Sequence, residues 1–200
     1  MEKITSLSQL DKNGIYTYAD YLSWHFEQAV ELIKGKIFPM AAPNTRHQTI
    51  SWQLTLIIGG VLHNNKCRPF AAPFDVRLLD KKKSDKAQKD IYTVVQPDIC
   101  IICDLEKLDT KGCLGAPDLM IEILSPGNSS KEMKIKKELY EENKVREYWI
   151  IDPERENVIL YALQPDGKYT QPKIIVSEDI IASTVFPELQ FNLSALFDEG

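Results

Sequence analysis

The longest regular pattern in the chain spans residues 44–63, where Ile50, Leu54, Ile57, Ile58, Val61 and Leu62 recur at helical spacing. It predicts a helix capped by Asn44 or Thr45. A shorter helix is predicted over 17–24, because Asp20 follows Thr17 by three positions and completes a capping-box pattern. Between the two, residues 29–33 and 36–40 flank Lys34-Gly35 and read as a hairpin. Strand-like segments follow at 69–72 and 74–79.

Two Ile-rich runs, 99–103 and 119–124, are introduced by Pro97-Asp98 and Pro117-Asp118 and have the character of central strands. Ser129 or Ser130 then caps a helix running to about Asn143, and the aromatic strand 147–152 follows. This strand, helix, strand order favours parallel pairing of the two strands. Residues 157–163 and 168–176, joined by Gln164-Pro165-Asp166-Gly167, form a second hairpin, and 194–197 a helical turn. The expected class is α/β, a mixed central sheet with helices against it and antiparallel hairpins at its edges.

Composition adds bounds to this picture. The 200 residues are 44% hydrophobic, with 24 Lys+Arg against 29 Asp+Glu and a net charge of −5. A chain of this length buries roughly 70% of its unfolded surface, so 1–200 reads as one domain that needs neither disulfide nor structural metal. No apolar run reaches the roughly 18 residues that a membrane span requires, and no apolar leader core is present, so no membrane association and a cytoplasmic location are expected. Cys100 and Cys103 lie three apart in an apolar run and point to opposite faces of a strand. The four cysteines, with Cys67 and Cys113, are therefore expected to be buried free thiols rather than zinc ligands.

Glu122 stands out chemically, since a carboxylate within Met120-Ile121-Glu122-Ile123-Leu124 is costly unless something compensates it. Asp98 opens the other Ile-rich run, and if the two runs are neighbours their carboxylates meet at one sheet end. Two such groups suit Mg²⁺ or Mn²⁺, hard ions that accept one or two protein carboxylates and leave room for phosphate oxygens. Lys136 and Tyr140 share a helix face at i, i+4, from which the lysine can reach Glu122 and offset charge developing on phosphorus. A purely structural Glu122–Lys136 ion pair is the competing reading.

Three weaker candidates complete the set. Glu31 lies in a strand-like run and reads either as a further site acid or as a hairpin-surface glutamate. His47, in the first turn of the long helix, is placed either to contact phosphate and assist proton transfer or simply at the surface. Lys81, Lys82, Lys83, Lys86 and Lys89 face only Asp85 in a run that either tracks a nucleic-acid backbone or is a solvated charged loop. Walker A, dinucleotide-binding, nucleophile-elbow and zincin motifs are all missing, which disfavours kinase, oxidoreductase, serine hydrolase and zinc protease classes.

Taken in order, residues 29–37, His47 opening a helix, Val95-Gln96-Pro97-Asp98, residues 117–126, residues 136–140 and residues 145–153 resemble the Uma-two family of putative restriction endonucleases, within the PD-(D/E)XK nuclease superfamily. The resemblance spans about residues 16–190. It implies a restriction-endonuclease-like fold and hydrolysis of DNA phosphodiesters, with Asp98, Glu122 and the Ile123 carbonyl holding Mg²⁺ or Mn²⁺. In the superfamily pattern a lysine lies two residues beyond the acid, and here that residue is Leu124. The resemblance implies that the lysine has moved to Lys136, with Lys137 as the neighbouring alternative. A homodimer is expected by analogy, because a two-fold axis presents two sites to two strands. The alternative reading is a nuclease-fold module that binds nucleic acid or regulates without turnover.

Overall fold

The computed structural model describes residues 3–79, 91–126 and 130–198. Its helices are α1 (Tyr18–Tyr21), α2 (Thr45–Leu62) and α3 (Ser130–Glu142). Its strands run in order β1 (Val30–Ile33), β2 (Lys36–Pro39), β3 (Arg68–Ala71), β4 (Val76–Leu78), β5 (Thr93–Val95), β6 (Ile99–Ile102) and β7 (Leu108–Asp109). There follow β8 (Gly112–Leu114), β9 (Leu119–Ile123), β10 (Glu147–Asp152), β11 (Asn157–Ala162), β12 (Lys173–Val176), β13 (Ile180–Ala182) and β14 (Gln190–Asn192). The α/β class holds, and the strands divide between two mixed six-stranded sheets rather than one. Among the described residues no helix is long and apolar enough to cross a membrane.

The chain forms two compact units, each assembled from separated segments. The first takes Met1–Ala42, Asp75–Gln96 and Lys107–Gly115 and holds the sheet β2-β1-β5-β4-β8-β7. Lys34 and Gly35 both have positive φ, which is the two-residue turn whose twist suits a hairpin, and β1 and β2 pair antiparallel across it. Thr17 and Asp20 cap α1 reciprocally. A small core gathers Tyr18, Leu32, Ile91 and Val94.

The second unit takes Pro43–Phe74, Pro97–Glu106 and Ala116–Gly200, with the sheet β12-β11-β10-β9-β6-β3 and the small pair β13-β14. Strands β9 and β10 are parallel, as the intervening α3 requires. One sheet face supplies Ile99, Ile101, Ile121, Ile123, Trp149 and Ile151 to a core completed by Ile50, Leu54, Ile58 and Leu62 of α2. Met120 and Glu122 alternate with those residues and lie on the other face. Helix α3 ends where Lys144 turns left-handed and the Val145 N–H reaches back to the Tyr140 carbonyl.

Two further features depart from the sequence reading. The last hairpin forms, but β12 begins at Lys173 rather than residue 168. Pairing near the tip (Leu163 with Tyr169) and along the strands (Leu160 with Lys173) differs by one residue, a bulge placed where Pro172 has no N–H to give the ladder. Cys103 is also not a free thiol. It is disulfide-bonded to Cys67, because the antiparallel register of β3 and β6 continues one step past Arg68 and Ile102 to bring the two cysteines together. Cys100 and Cys113 are buried thiols outside that disulfide.

Candidate active site

The second unit gathers Asp98, Glu122, Lys136 and His47. Strands β6 and β9 are antiparallel neighbours with Ile99 across from Ile121, so the register carried back one residue sets Asp98 opposite Glu122. Asp98 is tied to the neighbouring strand, since its Oδ2 accepts the Ile123 N–H at 2.7 Å.

Its other oxygen, Oδ1, lies 3.1 Å from His47 Nε2. Asn44 caps α2 by accepting the His47 N–H at 2.8 Å, which fixes the first turn and aims the imidazole at Asp98. His47 is buried, so the surface reading fails. Burial alone pushes its pKa down. The hydrogen bond and charge of Asp98, the charge of Glu122 and hydrogen bonding to the Ile123 backbone outweigh it, and the net direction is up. The two acids thus move the imidazole toward its charged form relative to an unperturbed histidine.

Glu122 is compensated from α3. Its Oε1 accepts from Lys136 Nζ at 2.9 Å and from the Tyr140 hydroxyl at 2.6 Å. Lys136 and Tyr140 face the sheet together because they lie one helical turn apart. Tyr140 is pinned by edge-on packing against Tyr148 of β10, with ring centroids 4.9 Å apart. Tyr148 and Trp149 are buried and pack within the unit.

Lys137 points elsewhere, lying 3.8 Å from Glu141 and over the Tyr161 ring. Leu124 donates its N–H to Ile151. Of the two lysines weighed on the sequence, Lys136 is therefore the one against the acid. The hydroxyl of Tyr140 is the contact that sequence reasoning left without a role, although its spacing from Lys136 was the available signal.

Glu31 belongs to the first unit. It is buried rather than on the hairpin surface, and its carboxylate accepts the Gln96 N–H at 2.8 Å. The Gln96 side chain bonds in turn to Asp75 and to the Tyr21 hydroxyl. Lys81, Lys82, Lys83, Lys86 and Lys89 lie outside the described residues.

Among the described residues no group of three or more His, Cys, Asp or Glu side chains gathers into a metal cluster. What is present is the sparser set: two carboxylates on adjacent strands, their side chains 15% and 12% exposed, with the Ile123 backbone between them. Hard oxygen donors in that number fit a Mg²⁺-type ion that keeps water and substrate oxygens in its shell.

Comparison with known proteins gives the lineage. An uncharacterized protein, slr1290, of Synechocystis sp. (strain ATCC 27184 / PCC 6803 / Kazusa) is 23% identical over 153 residues, 75% of each chain. The crystal structure of a putative nuclease from Anabaena variabilis ATCC 29413 superposes with a TM-score of 0.70 at 22% identity, covering 91% of this chain and 97% of that one. At that identity the likeness establishes the fold. The Uma2 family, described as putative restriction endonuclease, matches residues 18–194, and the chain belongs to that family.

Proposed function

We propose that the protein is an endonuclease that hydrolyses DNA phosphodiester bonds with a bound Mg²⁺ or Mn²⁺. The observation that carries this reading is the convergence of Asp98 and Glu122 from neighbouring strands with the Lys136 ammonium 2.9 Å from one of them. Family membership supports it. Asp98, Glu122 and the Ile123 carbonyl would hold the ion, which when bound supplies Lewis-acid stabilisation and lowers the pKa of a coordinated water.

The chain's own residues do the rest. Asp98 is kept in place by the Ile123 N–H and His47, so the acid needs little reorganisation. Lys136 is held by Glu122 at a site where its charge can offset the negative charge that builds on the phosphoryl oxygens as water adds to phosphorus and the ester oxygen departs. Tyr140 restricts Glu122 to one position and so positions the lysine through it. His47, 3.1 Å from Asp98 and buried at the start of α2, is placed to donate to a phosphate oxygen next to Asp98.

Metal binding tests this without knowledge of a target sequence. Calorimetric titration of Mn²⁺ into the wild type and into Asp98→Ala is expected to give saturable heat that Asp98→Ala abolishes. Equal heats from both proteins, or none from either, would overturn the metal-dependent reading. Saturable binding combined with no cleavage of pooled genomic DNA would favour the second reading, a nuclease-fold binding module, to which the Lys136–Glu122 pair is equally suited as a purely structural contact.

A further inference from the structure

Helix α2 carries no charged residue from Gln48 to Leu62, in a chain of which 26% is charged. Its inward stripe, Ile50, Leu54, Ile58 and Leu62, needs to be apolar for the core. The outward face has no such need, yet it exposes Trp52 at 64% and Leu56 at 56%. Gln48, Trp52, Leu56 and Gly60 form a single i, i+4 ridge along that face. A Cβ placed on Gly59 or Gly60 would meet nothing within 4 Å, so no contact among the described residues calls for glycine there. Glycine also weakens a helix interior relative to alanine.

The ridge is symmetric about Leu56, with Trp52 four residues to one side and Gly60 four to the other. In an antiparallel helix pair with its two-fold axis at Leu56, each Trp52 meets the partner copy's glycine position and the two Leu56 side chains meet each other. This is the reciprocity that an isologous interface demands. An uncharged face also meets its own copy without repulsion. A helix lying on a membrane surface would instead be expected to carry Lys or Arg along its polar flanks, and this one carries none over 48–62.

We infer that two copies of this chain associate through the outer face of α2, with Trp52 of each copy seated over Gly59-Gly60 of the other. A contact made by one helix face from each copy is small for a specific interface, so the dimer is weak and depends on concentration.

Sedimentation velocity over a micromolar concentration series tests it. The wild-type mass should rise toward that of a dimer, and Trp52→Glu and Leu56→Glu should remain monomeric with unchanged melting curves, because both side chains are exposed. Gly60→Trp should also dissociate the pair, since it fills the recess with a second indole. Under a mild thiol oxidant, Leu56→Cys should form a covalent dimer that Gln48→Cys, eight residues off the axis, does not. A wild type that stays monomeric throughout would overturn the inference. So would a dimer that survives both glutamate substitutions, or one that Gly60→Trp strengthens.

Discussion

Lys136 Nζ lies 2.9 Å from Glu122 Oε1, with the two side chains only 9% and 12% exposed. Each charge therefore depends on the other, since an ion removed from water is tolerated mainly when paired. Glu122→Gln should cost roughly 3–5 kcal/mol of unfolding free energy by removing the carboxylate that faces the ammonium, and Lys136→Met a similar amount. The double variant should recover most of that loss. Urea unfolding of the four proteins measures the coupling, and simple additivity would mean that the pair is not the compensation argued for Glu122. All three variants should be silent in cleavage.

Tyr140→Phe keeps the ring against Tyr148 and deletes only the hydroxyl that Glu122 accepts. Loss of a positioning group of this kind should lower cleavage or Mn²⁺ affinity about 10-fold while leaving the fold intact. Wild-type values for both quantities would show that Lys136 alone sets the place of Glu122.

The disulfide makes a prediction that thiol counting can decide. Unfolded without reductant, the protein should react at two thiols, Cys100 and Cys113, and after reduction at four. The Cys67–Cys103 bond spans 36 residues of sequence, so its reduction should lower stability by about 3–4 kcal/mol on a loop-entropy basis. Four reactive thiols before reduction would mean that the pair is not bonded.

In the first unit, Asp109 keeps about half of its side chain exposed, at 48%, and the part that is covered would by itself raise its pKa. The Arg77 hydrogen bond, the Lys111 N–H and nearby positive charge outweigh this and hold it below the usual carboxylate range. A depressed folded pKa stabilises above the unfolded value, and that share disappears as pH falls through the folded one. Asp109→Asn should therefore flatten part of the acid limb of a melting-temperature profile and leave the alkaline limb unchanged. An acid limb identical to wild type would sever Asp109 from acid stability.

Much of this arrangement could be read from the residues in order. The inward stripe of α2, the Asn44 cap, the parallel β9 and β10 and the carboxylate in an apolar strand are all encoded within short windows. Features that depend on which strands become neighbours were not legible. The Cys67–Cys103 bond follows from the register of β3 with β6, and the burial of Glu31 follows from the approach of Gln96. His47 looked like a surface residue because nothing near it in sequence announces Asp98, 51 positions away. Strand periodicity says which face a residue takes and is silent about what will meet it there.

The placement of an ammonium on α3, with Leu124 where a strand lysine would stand, has a consequence for how such a centre tolerates change. A lysine on the acid's own strand comes with that strand automatically, whereas Lys136 reaches Glu122 only while its helix is seated against the sheet. One residue inserted ahead of Lys136 within α3 would turn the lysine by roughly 100° about the helix axis and empty the position without touching a single acid. On the proposed reading, the integrity of the centre is thus leased from the docking of a helix, and substitutions under α3 that never approach a phosphate should silence it as completely as the loss of an acid.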